Sequence, residues 1–224
     1  MVEITESSVL SKITVLSILR NIKSGIGLDI SKNHTGVFIW NGDTTEEYGF
    51  ELSEYNKTDY FAEYKMRREF KTKLSEIVKG RQFEICIVED VYGGENFDTV
   101  RKLLALNTVI DELIFERVCF VDEFLRWGES RWAKATRALY KQKGRLKSKV
   151  ETQGLLEYLE YSFYLEHKDD KPSVKKEIFF EDICDACGML LGAVANKIME
   201  LNIVKQASLR MSDIKMVYVQ DLED

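Results

Sequence analysis

The fold of this chain is decided by the stretch Gly25-Ile26-Gly27-Leu28-Asp29-Ile30-Ser31 and by the return segment Thr35 to Trp40. Its apolar residues alternate with small or polar ones, which is the period-two pattern of a β-strand, and residues 32–36 read as the turn of a hairpin. Asp29 places a charge inside an apolar strand, and a buried carboxylate is costly unless it is paired or bound to a cation. Either the strand 25–31 lies at an edge of the sheet and exposes Asp29, or Asp29 has a charged or metallic partner.

Working outward, the turn Asn41-Gly42-Asp43 predicts a second hairpin, so the chain opens with an antiparallel meander. Two strand–helix–strand units follow, and such crossovers favour parallel neighbours. We therefore predict an α/β fold: a five-stranded mixed sheet, three antiparallel strands and then two parallel ones, flanked by helices. The predicted strands are 25–31, 35–41, 45–52, 83–88 and 117–121, and the predicted helices are 58–79, 96–114, 147–166 and 181–200.

The composition is that of one globular domain: 224 residues, 45% hydrophobic and 31% charged. We assign residues 25–200 to this domain, 1–24 to an N-terminal extension that is predicted to be helical, and 201–224 to a C-terminal tail. No apolar run is long enough to cross a membrane, and the first residues do not resemble a signal peptide. We therefore expect an intracellular protein without a membrane partner.

The charge is unevenly distributed. The net charge is −6, which argues against indiscriminate coating of nucleic acid, yet residues 126–149 contain nine Lys and Arg against one acid, Glu129. A solvated helix face usually alternates signs, and this segment does not. Phosphate is the natural partner for such a basic segment.

Two cysteines near the end of the chain form the pattern Cys184-x-x-Cys187. A single pair of this kind is a weak zinc signal. Both residues fall in a predicted helix, so packing of two small side chains explains them better.

Four carboxylates stand out along the chain, and we call them the acidic quartet: Asp29, Glu89, Asp182 and Asp185. Asp29 lies in the first strand and Glu89 at the carboxyl end of the fourth, where ligands gather in open α/β sheets. The other two are three residues apart, which puts both on one face of the last helix. Hard oxygen ligands suit Mg²⁺ or Mn²⁺, and two such ions roughly 4 Å apart assist phosphoryl displacement. Favourable interaction with the helix N-terminus is the competing explanation for Asp182.

Three segments together resemble the RuvC family of Holliday junction resolvases, which belongs to the ribonuclease H-like superfamily. They are Ile26-Gly27-Leu28-Asp29-Ile30, the run Ile85 to Tyr92 around Glu89, and Asp182 to Ala186. The resemblance implies that the acidic quartet is catalytic and binds two Mg²⁺ ions, with Mn²⁺ as a substitute. It also implies a homodimer that nicks two opposed strands of four-way or branched DNA.

Further positions follow from the same resemblance. Tyr92, three residues after Glu89, would probe the junction centre, although packing on the next helix is an alternative. Arg145, Lys147 and Lys149 would contact phosphates. The helix 96–114 follows Glu89 as the dimer helix of the family does, with Asn96 and Leu103 to Leu106 in comparable places. The N-terminal extension and the tail depart from the simplest bacterial members, which fits a diverged phage, viral or organellar relative. His34 and His167 have no predicted role.

Other functions are also open from sequence. A less selective ribonuclease H-like nuclease or a debranching enzyme would use the same four acids and would cut duplex DNA as well. An actin-like ATPase fragment shares the Gly-x-Asp strand but needs a second half, for which 224 residues leave no room. A catalytically inactive DNA-binding module tends to lose such acids. Divalent-cation-dependent cleavage would separate the nuclease from the other two.

Overall fold

A computed structural model describes residues 15–31, 33–55, 59–91, 97–128, 156–157, 159, 161–167, 180–198 and 200. In these residues, one mixed sheet of five strands has helices on both faces. The strands are β1 (Gly25–Ile30), β2 (His34–Trp40), β3 (Thr45–Glu51), β4 (Gln82–Glu89) and β5 (Phe120–Trp127). The helices are α1 (Val15–Leu19), α2 (Ala62–Val78), α3 (Phe97–Phe115), α4 (Ser162–His167) and α5 (180–198).

The strand order is β3-β2-β1-β4-β5, so β1 lies at the centre of the sheet. It pairs antiparallel with β2 and parallel with β4, while β3 and β5 occupy the two edges. The predicted arrangement of three antiparallel strands followed by two parallel strands is confirmed. The explanation of Asp29 as an exposed residue of an edge strand is wrong, because β1 is bonded on both sides.

Each face of the sheet has its own apolar core. Alternate residues of β1 (Ile26, Leu28 and Ile30) pack with α2 and α3, the two crossover helices. On the opposite face, Phe38 and Trp40 of β2 pack with α1 and α5. Because successive strand residues point to opposite faces, Gly25, Gly27 and Asp29 belong to the face that α5 covers.

Two glycines allow the backbone of α5 to lie directly on the central strands. A Cβ atom at Gly27 would lie 2.1 Å from the carbonyl oxygen of Ala186, and one at Gly36 would lie 2.2 Å from the carbonyl carbon of Asp182. Both distances are far shorter than van der Waals contact. Asp182 and Ala186 are four residues apart and therefore lie on the same face of α5, which is the face against the sheet.

The first hairpin is tighter than predicted. β2 begins at His34 rather than at Thr35, and Ile30 is the strand partner of Thr35. The amide of Ser31 donates to the carbonyl oxygen of His34 at 2.9 Å, which closes the turn. His34 is therefore a strand residue, next to the end of β1.

The predicted bounds of the fifth strand are wrong. The prediction was 117–121, whereas β5 spans Phe120–Trp127 and Arg117 lies in the preceding turn with φ of 59°. As an edge strand in the described sheet, β5 carries polar residues such as Asp122 and Glu123, which hide the apolar pattern of a buried strand.

The predicted helix 147–166 is not continuous in the part that the structure describes. Residues 156–157 are helical, Tyr161 is not, and α4 begins at Ser162. The ring of Tyr161 packs edge-on against Phe38 with centroids 5.8 Å apart, and its hydroxyl donates to Glu47.

Several predicted segments lie outside the described residues. They are residues 1–14 of the N-terminal extension, most of the basic segment 126–149, and the tail 201–224. The domain boundaries at 25 and 200 remain predictions. No helix in the described ranges is long and apolar enough to cross a membrane.

We expect Gly27→Ala to destabilise the protein by about 1–3 kcal/mol, because the added methyl group must push the α5 backbone off the sheet. Gly128→Ala is the control, since a Cβ atom there has no neighbour within 4 Å. Urea unfolding followed by circular dichroism measures both variants. A Gly27→Ala protein that unfolds at the wild-type midpoint would contradict the close packing.

Candidate active site

Asp29 and Glu89 come together because β1 and β4 are parallel neighbours. Their register pairs Leu28 with Val88, and one step further places Asp29 beside Glu89 at the carboxyl ends of both strands. The two side chains share a hydrogen bond. The parallel pairing of β1 and β4 thus brings two members of the acidic quartet together.

The other two carboxylates reach the same place through α5. Gly36 is the cross-strand partner of Asp29, and the backbone of Asp182 lies against Gly36. The first described turn of α5 therefore lies beside Asp29, and Asp185 follows on the same side of the helix. All four members of the acidic quartet are partly buried and close enough to interact electrostatically.

The charges of the quartet oppose one another. Burial raises the pKa of Asp29 well above its ordinary value, and the negative charges of Glu89 and of the two helix carboxylates raise it further. The hydrogen bond to Glu89 acts in the same direction, because the protonated carboxyl of Asp29 donates it and this favours the neutral form. Asp29 thus tends to keep its proton unless a positive charge is supplied.

The donor set of the quartet fits a hard divalent cation. Carboxylate oxygens are the ligands that Mg²⁺ and Mn²⁺ prefer, and a cation would relieve the repulsion that raises the pKa of Asp29. Among the described residues, no group of three or more His, Cys, Asp or Glu side chains is already arranged to hold a metal ion. The fold therefore brings the four carboxylates near one another without arranging them as a complete set of metal ligands.

His34 is a neighbour of the site that the sequence analysis missed. Its Nδ1 atom lies 3.0 Å from Oδ2 of Asp182, and Ser31 Oγ lies 2.7 Å from the same nitrogen. The contact joins residues 148 positions apart, so local spacing carries no sign of it. The only signal in the sequence is a polar, hydrogen-bonding residue in the turn that follows Asp29.

The predicted DNA-contact residues Tyr92, Arg145, Lys147 and Lys149 lie outside the described residues. Arg126, the first cation of the basic segment, is within the described part of β5. Its guanidinium donates to both carboxylate oxygens of Asp111 at 2.8 Å and lies over the ring of Phe124. This cation is therefore engaged within the fold.

Cys184 and Cys187 are packing residues of α5. They are 1% and 0% exposed and belong to the core between α5 and the sheet. Burial raises the pKa of both thiols, which disfavours the thiolate form that a metal would need. The interpretation of this pair as helix-packing residues is confirmed.

Comparison with known proteins gives no match by sequence but several matches by structure. No protein-family profile matches the sequence, and no curated protein sequence matches it. Among solved structures, Thermus thermophilus RuvC superposes with a TM-score of 0.51 at 14% identity, over 79% of this chain and 96% of that chain. The fold is that of RuvC.

A second structure of RuvC, from T. thermophilus in complex with Holliday junction substrate, matches with a TM-score of 0.50 at 13% identity. That match covers 79% of this chain and 95% of RuvC. The yeast mitochondrial Holliday junction resolvase Ydc2 matches with a TM-score of 0.45 at 12% identity, over 81% of this chain and 85% of Ydc2. The RuvC fold is ribonuclease H-like, which agrees with the predicted fold class.

We expect Asp29→Asn to raise the thermal unfolding midpoint by several degrees at neutral pH in EDTA. Since the folded-state pKa of Asp29 lies above the unfolded value, the wild type loses stability as pH rises from about 4 through the folded pKa. The difference between variant and wild type should therefore vanish near pH 4 and grow above it. Differential scanning fluorimetry across pH measures this.

The matched control is Asp43→Asn, the same change at an exposed turn residue far from the quartet. Its midpoint should follow the wild type at every pH. An Asp29→Asn midpoint below that of the wild type at neutral pH would contradict the repulsion inferred for the quartet.

Proposed function

We propose that this protein is a metal-dependent endonuclease that resolves Holliday junctions and related branched DNA. The observation that carries the proposal is the convergence of four carboxylates from β1, β4 and α5 at the carboxyl ends of the central strands of a RuvC-like sheet. RuvC of T. thermophilus, which shares this fold, is described in complex with a Holliday junction substrate. A partly buried carboxylate with a raised pKa near the carboxyl end of a strand, as Asp29 is, also marks the expected site of chemistry in such a sheet.

The acidic quartet would hold the divalent cations, for which Mg²⁺ is the first choice and Mn²⁺ the substitute. Two such ions, when bound, activate a water molecule and stabilise the charge on the leaving 3′ oxygen. The chain itself supplies the framework: parallel pairing holds Asp29 beside Glu89, and contact with the sheet holds Asp182 in place. Without cations the site is strongly negative and repels phosphate, so DNA approach and cation binding are coupled.

Binding of the junction would use residues around this site. We assign stacking at the junction centre to Tyr92, and phosphate contacts to Arg145, Lys147 and Lys149. An aromatic ring can stack on an unpaired base, and lysine and arginine neutralise phosphates.

We also propose that the active form is a homodimer, since a four-way junction presents two opposed strands to be cut. Support comes from α3, where Leu104 is 51% exposed and Phe97 is 78% exposed. Not every residue from Leu103 to Leu106 is available for a dimer contact. Leu106 is fully buried in the core, and Leu103 is partly buried against it. Leu104 is the member of this run that can contact a second chain.

The decisive experiment uses a labelled synthetic four-way junction and a linear duplex of matching sequence, each with Mg²⁺, Mn²⁺ or EDTA. We expect paired nicks in the junction and none in the duplex, with no cleavage in EDTA. Asp29→Asn and Glu89→Gln should reduce cleavage at least about 100-fold while junction binding is retained, since even outer-shell partners of metal ligands are worth about 10- to 100-fold.

Glu76→Gln, an exposed residue of α2, is the control and should cut like the wild type. Cleavage of both substrates would keep the quartet as the site but assign a less selective nuclease. Normal cleavage by either quartet variant would show that the site is wrong. Tight junction binding without any cleavage would favour an inactive DNA-binding module.

For the dimer, we expect Leu104→Glu to weaken self-association on the junction by at least about tenfold, because a charge replaces an apolar contact. Sedimentation analysis of protein–junction complexes measures the number of chains per junction. Thr72→Glu, an exposed change on α2, is the control. Two Leu104→Glu chains bound as tightly as two wild-type chains would place the dimer contact elsewhere.

A further inference from the structure

The contact between His34 and Asp182 links the first hairpin to the last helix. Nδ1 of His34 lies 3.0 Å from Oδ2 of Asp182, and the side chains are 43% and 19% exposed. A carboxylate oxygen only accepts hydrogen bonds, so the proton of this contact belongs to Nδ1. His34 is therefore a donor to one defined oxygen of Asp182.

Ser31 holds the histidine ring in this orientation. Its hydroxyl donates to the carbonyl oxygen of His34 at 2.9 Å and accepts from the amide of His34 at 3.0 Å. The hydroxyl proton is thus already in use, and the 2.7 Å contact between Ser31 Oγ and Nδ1 makes the oxygen a second acceptor for the Nδ1 proton. The tight turn fixes the ring before any ligand binds.

The position of the contact relates it to the quartet rather than to helix docking. His34 and Gly36 are two residues apart in β2 and so belong to the same face of the sheet. Gly36 already contacts the backbone of Asp182, and Gly27 contacts Ala186, so α5 is seated without the histidine. His34 instead fixes the orientation of the Asp182 side chain.

We infer that His34 is a positioning residue that holds Oδ2 of Asp182 and so fixes the orientation in which this carboxylate meets the divalent cation. The inference rests on the proposed function only in taking Asp182 as a ligand of that cation. A ligand whose rotamer is held in advance loses less conformational freedom on binding, and outer-shell partners of metal ligands are typically worth about 10- to 100-fold in affinity. His34 should contribute an amount in this range.

Three substitutions separate the hydrogen bond from the bulk of the ring. The amide nitrogen of asparagine is two bonds from Cβ, as Nδ1 of histidine is, so His34→Asn can keep the donor. In His34→Gln the amide nitrogen is three bonds from Cβ, and His34→Ala has no side-chain donor at all. We expect His34→Asn to bind Mn²⁺ within about threefold of the wild type, and the other two about 10- to 100-fold more weakly.

The readout is the Mn²⁺ dissociation constant from isothermal titration calorimetry, together with the Mn²⁺-induced rise of the unfolding midpoint, which falls as affinity falls. Midpoints in EDTA show whether each variant folds. The control is Asn41→Ala, which removes the hydrogen bonds that close the second hairpin, away from the quartet. It should lose stability and keep Mn²⁺ affinity.

Equal Mn²⁺ affinity in the wild type, His34→Gln and His34→Ala would overturn the inference, as would an equal loss in His34→Asn or in Asn41→Ala. Junction cleavage, measured in parallel, tests the proposed function separately. A wild type that cuts junctions but shows no dependence of Mn²⁺ affinity on His34 contradicts the positioning role alone. His34-dependent Mn²⁺ binding without cleavage of any DNA supports the positioning role and contradicts the nuclease.

Discussion

The distance between the backbone of α5 and the central strands determines what this fold can hold. With a side chain at position 27 or 36, the helix would have to move outward by more than an ångström, since a Cβ atom would come within 2.1–2.2 Å of its backbone. Asp182 and Asp185 would then move away from Asp29. The two glycines therefore contribute to chemistry without any functional group of their own, because they determine how near the helix carboxylates come to the strand carboxylates.

The acidic quartet also shows a conflict between stability and function. Four partly buried carboxylates repel one another, and the raised pKa of Asp29 records the repulsion. A protein selected only for stability would replace at least one of them by an apolar or amide side chain. Their clustering where α5 meets the central strands is explained by the proposed function, in which a cation would provide the missing positive charge. His34 provides a smaller contribution, because it donates a hydrogen bond to one of the four.

Much of the architecture could be predicted because its signals are local. The alternation in β1, the helical spacing in α2 and α3, and the crossover rule together place Asp29 beside Glu89, and the three-residue spacing places Asp182 and Asp185 on one helix face. The bounds of β5 could not be predicted, because an edge strand with polar residues on its exposed positions lacks the apolar pattern of a buried strand. The contact of His34 with Asp182, and that of Gly36 with the same residue, arise only when distant segments pack.

The spacing of the quartet along the chain has a consequence for biosynthesis. The order of the elements means that a ribosome-bound chain extended through β5 contains Asp29 and Glu89 but neither carboxylate of α5. Such a nascent chain can already pair its parallel strands, since all five strands precede residue 128. The acidic quartet is complete only when α5, which follows all five described strands along the chain, has been synthesised and docks on the sheet.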